Sequence, residues 1–87
     1  MLHEYQAAEK LYNQGFGFNV MVMALVMKAD PNNLAKLRLV YPDLVDEVLR
    51  RRNMPGGALD ADEWRTVVES HGYSIEDMPF PGQPAQN

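Results

Sequence analysis

The side chains that could carry nucleophilic or acid–base chemistry are few in this chain. The aliphatic hydroxyls are Thr66, Ser70 and Ser74, and the imidazoles are His3 and His71. A nucleophilic triad needs a nucleophile, a base within hydrogen-bond reach and a group that orients the base. Ser70 and His71 are adjacent on a predicted helix, so they point in different directions. We interpret them as polar residues at a helix end.

Metal-ligand and phosphate-binding patterns are also missing from the sequence. There is no cysteine, no His-x-x-x-His pair and no EF-hand loop. The acids at 43–47 and at 60–63 fall in the first turns of predicted helices, where negative charge stabilises the helix end. Gly56-Gly57 lacks the lysine and the strand–helix context of a phosphate-cradling loop. We therefore expect no enzyme, no metal and no cofactor.

A run of three arginines is the sharpest local feature of the sequence. It ends a predicted helix that begins with acids, an order that complements the helix dipole. Because consecutive helical residues spread around the axis, at least one of them, Arg51 or Arg52, should face water. A solvated helix end and a contact with an acidic or phosphate-bearing partner both stay open. The candidate partner contacts on this basic edge are Arg50, Arg51, Arg52, Lys28, Lys36 and Arg38.

A second set of candidates is apolar. Methionines in the run from Val20 to Met27 can fill a core or form a deformable partner surface. Aromatic side chains near this run could stack on a ligand. The candidate residues for an apolar interface or for stacking are Phe16, Phe18, Tyr41, Met21 and Met27.

The elements that carry these residues are predicted to be helices. Apolar residues recur at three- and four-residue steps over 2–12, and Gly15 ends this first helix. The run Val20 to Met27 has no polar face, but its methionines favour helix, and a lone strand would have nothing to pair with. With Asn19 as N-cap, the second helix spans about 20–29 and must be covered on all sides.

Capping signals divide the rest of the chain. Asp30-Pro31 predicts the start of a third helix, and Pro42 ends it and opens a fourth. Proline and two glycines break the chain at 55–57. Asp60 and a glutamate three residues later resemble a capping box at the start of a fifth helix, which ends at Gly72. The predicted fold is all-α, a compact bundle of four or five short helices around the central apolar helix.

Length and composition bound the organisation of the chain. The 87 residues suit one domain, and 46% hydrophobic with 23% charged residues is typical of a folded protein. We predict a single helical domain over 1–77 and a proline-rich flexible tail over 78–87. Eight apolar residues in a row are far fewer than the roughly 20 that a membrane span needs. No signal-peptide pattern opens the sequence, so we expect a cytoplasmic protein without membrane contact.

Charge argues against general nucleic-acid binding. The formal net charge is −4, with seven basic against six acidic residues over 1–52 and one against six over 53–87. A helix-turn-helix over 29–52 would place Asp43, Asp46 and Glu47 where base edges should be met. Nucleic acid is therefore a disfavoured partner.

One segment carries a family resemblance. From Asp30 the sequence DPNNLAKLRLVYPDLVDEV, followed by Pro-Gly-Gly up to Gly57, resembles short helical proteins found in phages and prophages. The shared features are the acid-asparagine-leucine helix start and the aromatic-proline hinge before an acidic helix, over about a third of the chain. The resemblance implies an accessory protein that binds and inhibits or regulates a host or phage protein. It implies no functional residues.

Taken together, these patterns favour a non-catalytic protein-interaction module. Four short helices cannot easily enclose a helix with no polar side, so we also expect a homo-oligomer beside a protein partner. One alternative is a nucleic-acid-associated regulator that uses the basic edge. Another is a small-ligand or nucleotide-binding oligomer, in which an aromatic ring stacks on the ligand and an arginine meets its phosphate.

Overall fold

Five α-helices and one 3₁₀ turn make up the secondary structure. The computed structural model describes residues 1–81, and no strand occurs among them, so the predicted all-α class is confirmed. The helices are α1 (Leu2–Tyr12), α2 (Phe18–Lys28), α3 (Pro31–Val40), α4 (Pro42–Arg52) and α5 (Ala61–Ser70), and the 3₁₀ turn is Pro55–Gly57. Within residues 1–81, every helix is too short or too polar to cross a membrane.

The chain divides into two compact units. The N-terminal unit is Met1–Val45 and the C-terminal unit is Asp46–Asn87, with the division falling inside α4. The predicted single domain over 1–77 spans both units and stays a prediction. Each unit is described below by itself.

Side-chain caps start α3 and α5 where the sequence predicts them. Asp30 Oδ1 accepts a hydrogen bond from the Asn33 amide at 2.8 Å, and Asp60 Oδ1 accepts one from the Glu63 amide at 2.9 Å. Each bond satisfies one of the amides that a helix start leaves without a partner. These boundaries are therefore fixed by local chemistry.

The start of α2 differs from the prediction. The N-cap is Gly17, which is extended and makes no side-chain cap bond, and Asn19 lies inside the first turn. The helix ends at Lys28. Glycine is accepted at an N-cap almost as readily as asparagine, so Gly17 can start the helix two residues before Asn19.

The N-terminal unit buries little of its apolar surface. Its buried hydrophobic side chains are Val22, Val26 and Val45, of which Val26 and Val45 are fully buried. No residue of α1 is buried. The single chain does not cover α2 on all sides, because Val26 is 1% exposed whereas its neighbour Leu25 is 53% exposed.

The C-terminal unit has a defined hydrophobic cluster. Its buried members are Ala58, Trp64, Val68 and Phe80. The Trp64 and Phe80 ring centroids lie 6.2 Å apart, and the Trp64 indole N–H donates to the Met78 carbonyl at 2.6 Å. Residues 78–80 therefore pack on α5 instead of forming part of a flexible tail. The Phe80 ring packs on the Trp64 ring, and the Met78 carbonyl accepts the Trp64 hydrogen bond. The rest of the predicted tail, 82–87, lies outside the described residues.

Candidate functional site

The residues of the predicted basic edge are divided between the two units. Lys28 and Lys36 line a groove of about 210 Å³ in the N-terminal unit, together with apolar Leu25 and Leu37. Arg38 lies in the last turn of α3, in the same unit. The arginine run of 50–52 ends α4 in the C-terminal unit. Three of the six candidate residues therefore lie in the N-terminal unit and three in the C-terminal unit.

Arg51 is engaged inside the C-terminal unit. Its Nη1 and Nη2 donate to the two carboxylate oxygens of Glu63 at 2.8 and 3.0 Å, and its Nε donates to Glu47 at 2.9 Å. Nη1 also donates to the Gly57 carbonyl at 2.8 Å. A two-pronged arginine–carboxylate pair is strong and geometrically specific. Arg51 thus joins α4, the 3₁₀ turn and α5, whereas Arg50 and Arg52 are exposed.

Glu63 is the central acceptor of this network. It accepts from Arg51 and also from the Leu59 amide at 2.7 Å. The hydrogen bond from Arg51, followed by the bond from the Leu59 amide, lowers the pKa of Glu63 from its ordinary value of 4.5 to about 2. The same pairing raises the pKa of Arg51, so both groups stay charged. The sequence indicates only the cap role of Glu63, because a partner twelve residues away follows no helical spacing.

This pairing predicts a specific loss of stability in acid. Because the pKa of Glu63 is about 2 in the folded chain, its contribution is present above the unfolded value near 4.5 and is lost as the pH falls toward 2. The urea concentration at the unfolding midpoint should therefore fall as the pH is lowered through this range. In the Glu63→Gln variant this fall should be smaller. Glu69→Gln, on the exposed face of α5, is the matched control. An equal decline in the Glu63→Gln chain would contradict the assignment.

Ser70 and His71, at the C-terminal end of α5, both contact the backbone of that helix. Ser70 Oγ donates to the Val67 carbonyl at 2.8 Å, and His71 Nδ1 lies 2.8 Å from the same oxygen. Both residues are exposed, and Ser70 Oγ lies 3.3 Å from His71 Nδ1, so the expectation that the two side chains point in different directions is wrong. Among residues 1–81, no three His, Asp or Glu side chains are grouped to hold a metal ion. His71 also lines a groove of about 290 Å³ together with Trp64 and Tyr73, whereas Ser70 does not line it.

Exposed hydrophobic side chains are concentrated in one unit. Of the fourteen large ones exposed among the described residues, twelve lie in the N-terminal unit, and only Tyr73 and Met78 lie in the C-terminal unit. We call the nine that lie between residues 2 and 27 the N-terminal apolar surface. They are Leu2, Tyr5, Leu11, Tyr12, Phe16, Phe18, Val20, Leu25 and Met27.

The predicted apolar candidates belong to this surface or lie beside it. Phe16, Phe18 and Met27 are exposed, and Met21 is half-buried. Tyr41 is half-buried and meets the Phe18 ring edge-on, with centroids 6.1 Å apart and planes at 60°. This edge contact sets the position of the Phe18 ring.

Helix α1 contributes the part of the surface that is hardest to explain in a single chain. Isolated helices shorter than about 12–15 residues are marginal in water, and burial of an apolar face supplies most helical stability in proteins. α1 has 11 residues and buries none of them. Its apolar face therefore stays mostly uncovered among the described residues, with Leu2, Tyr5 and Tyr12 between 64% and 75% exposed.

Comparisons with known proteins do not place the chain in a family. No protein-family model matches it. The searches of curated proteins and of solved structures find no match either. The resemblance of residues 30–57 to phage and prophage proteins stays a prediction.

Proposed function

We propose that this protein is a non-catalytic protein-interaction module that binds through its N-terminal apolar surface. The observation that supports the proposal is the concentration of exposed hydrophobic side chains in one unit, twelve of the fourteen among the described residues. A concentration of large exposed apolar side chains is typical of interaction sites. Exposed tyrosine, phenylalanine and methionine are also the residues in which interfaces are enriched.

The charge pattern of the surface supports the same function. From Leu11 to Met27 the sequence contains no charged residue. Depletion of charge is the compositional feature of an interface core, since a buried charge must be desolvated. Most of the acids lie in the C-terminal unit, which contains eight acidic and four basic residues.

The alternatives have weaker support. A nucleic-acid regulator would need the arginine run, but Arg51 is engaged with Glu63 and Glu47. A nucleotide-binding oligomer would need its aromatic rings free to stack on the ligand, whereas Tyr41 is half-buried and meets the Phe18 ring edge-on. On the phage resemblance, we extend the proposal to a module that inhibits or regulates its protein partner.

Photo-crosslinking tests the proposed surface. A photoreactive phenylalanine analogue at Phe18 should form protein adducts in an extract of the producing cells, and excess unlabelled chain should compete them away. The same analogue at Tyr73 is the control, because Tyr73 is similarly exposed, at 61% against 66%, in the C-terminal unit. Absence of any competed adduct at Phe18, or equal adducts at both positions, would contradict the proposal.

A further inference from the structure

The occupant of the N-terminal apolar surface can be named from its extent and its charge. We infer that the surface is covered by the same surface of a second copy of this chain. The inference rests on the interaction function proposed above and specifies the partner. Three observations support it: the available area, the charge balance of the unit and the unburied state of α1 and α2.

The available area is enough for a stable pair. With ordinary side-chain areas, the nine residues expose roughly 1,100 Å², whereas a standard interface needs about 800 Å² from each partner. At about 100° per residue, Phe18 and Leu25 lie on the opposite side of α2 from Val20 and Met27, so a facing copy covers one of these pairs. The remaining seven residues expose roughly 900 Å², which is still sufficient. A small ligand would leave the greater part of the surface in water.

The charge balance favours self-pairing through this unit. The N-terminal unit carries four Lys and Arg against four Asp and Glu, so its side chains balance. Two such surfaces meet without net repulsion, and a strongly charged partner would gain no attraction from them. The C-terminal unit has a net charge of −4. Pairing through C-terminal units would bring like charges together.

Helices α1 and α2, which bury few or none of their residues, favour a partner that stays bound at all times. An obligate interface resembles a core cut in half, and α2 fits that description because its only two buried residues are Val22 and Val26. A transient partner would leave these helices uncovered for much of the time. A second copy is available at the concentration of the chain itself. In a symmetric pair each copy would supply the cover that the other lacks.

Spacing along α1 suits helix-to-helix packing. Tyr5, Ala8 and Tyr12 follow three- and four-residue steps, which place them on one face. Small Ala8 lies between the two tyrosines and leaves room for a large side chain of a facing helix.

Two tyrosines of almost equal exposure provide the test. Tyr5 is 64% exposed on α1, and Tyr73 is 61% exposed in the C-terminal unit. Light scattering should give the full chain a mass about twice the 9.9 kDa of one copy. Tyr5→Glu should shift it toward the single-chain mass and raise the dissociation constant at least tenfold. Tyr73→Glu should leave the pair intact.

Folding of the variants is checked independently. Glutamate is a good helix former and is favourable near a helix start, so Tyr5→Glu should keep the helix content in circular dichroism. If that variant loses helix, Met27→Glu gives the same comparison from α2, where Met27 is 62% exposed. Added salt should not weaken the pair, because its interface is apolar and balanced in charge.

The outcomes separate the inference from the proposed function. A wild-type chain at the single-chain mass overturns the second-copy inference, and so does a pair that survives both Tyr5→Glu and Met27→Glu or is broken by Tyr73→Glu. A competed adduct between the analogue at Phe18 and a different protein would then keep the interaction function with another partner. Without any competed adduct, both proposals fall.

Discussion

Replacing Trp64 by alanine should remove a large part of the stability of the C-terminal unit. The indole is 8% exposed and belongs to the buried cluster with Val68 and Phe80. Truncation of a buried aromatic residue to alanine costs about 3–5 kcal/mol, while a whole domain is stable by about 5–15 kcal/mol. The variant also removes the donor to the Met78 carbonyl, so residues 78–80 should lose their anchor on α5.

A second substitution separates packing from hydrogen bonding. Trp64→Phe keeps a ring against Phe80 but removes the indole N–H that donates at 2.6 Å to Met78. We expect a smaller loss, about 1 kcal/mol for the hydrogen bond in addition to the lost ring volume. Urea unfolding followed by circular dichroism gives both values. Arg65→Ala, at the exposed neighbouring position, should change the free energy of unfolding by less than about 0.5 kcal/mol. If Trp64→Ala were as mild as this control, the cluster would not be the core.

The starts of α3 and α5 were predictable because their cause is local. The aspartates at 30 and 60 each accept from an amide three residues later, and the sequence displays both partners at a fixed spacing. α2 was predictable as an element but not in its surroundings. An apolar pattern indicates that a helix needs other residues packed against it, but it does not indicate which residues these are. Leu25 and Val26 are adjacent and equally apolar, and only packing separates 53% from 1% exposure.

Contacts between residues far apart in the chain could not be predicted from the sequence, because each residue also has a sufficient local role. Arg51 and Glu63 each have an adequate local role, as a helix-end cation and as a capping-box acid, so nothing in their spacing indicates that they meet. Phe80 lies in a proline-rich segment whose composition predicts a tail. One ring against Trp64 and one carbonyl facing its indole are enough to hold that segment. The composition of a segment does not reveal single contacts of this kind, so a prediction from composition does not include them.

Two glycines of the C-terminal unit allow backbone strain to be separated from steric overlap. Both have positive φ, +61° at Gly56 and +83° at Gly72, where a side chain is disfavoured. A Cβ at Gly56 would lie 2.7 Å from Val67 Cγ1 and 3.3 Å from Val67 Cγ2, whereas at Gly72 it would meet nothing within 4 Å. The two positions therefore share the conformational cost and differ in the close approach.

Gly56→Ala should consequently destabilise the unit more than Gly72→Ala. The left-handed conformation costs an alanine roughly 1–2 kcal/mol at either site, and overpacking against Val67 adds about 1–3 kcal/mol at Gly56 alone. Urea unfolding of the two variants measures the difference. Adding Val67→Ala removes both γ-carbons, so the double variant should recover part of the extra loss, as expected for residues in contact. Equal effects of the two glycine substitutions, or no recovery in the double variant, would show that the turn at Gly56 moves away from α5 at little cost.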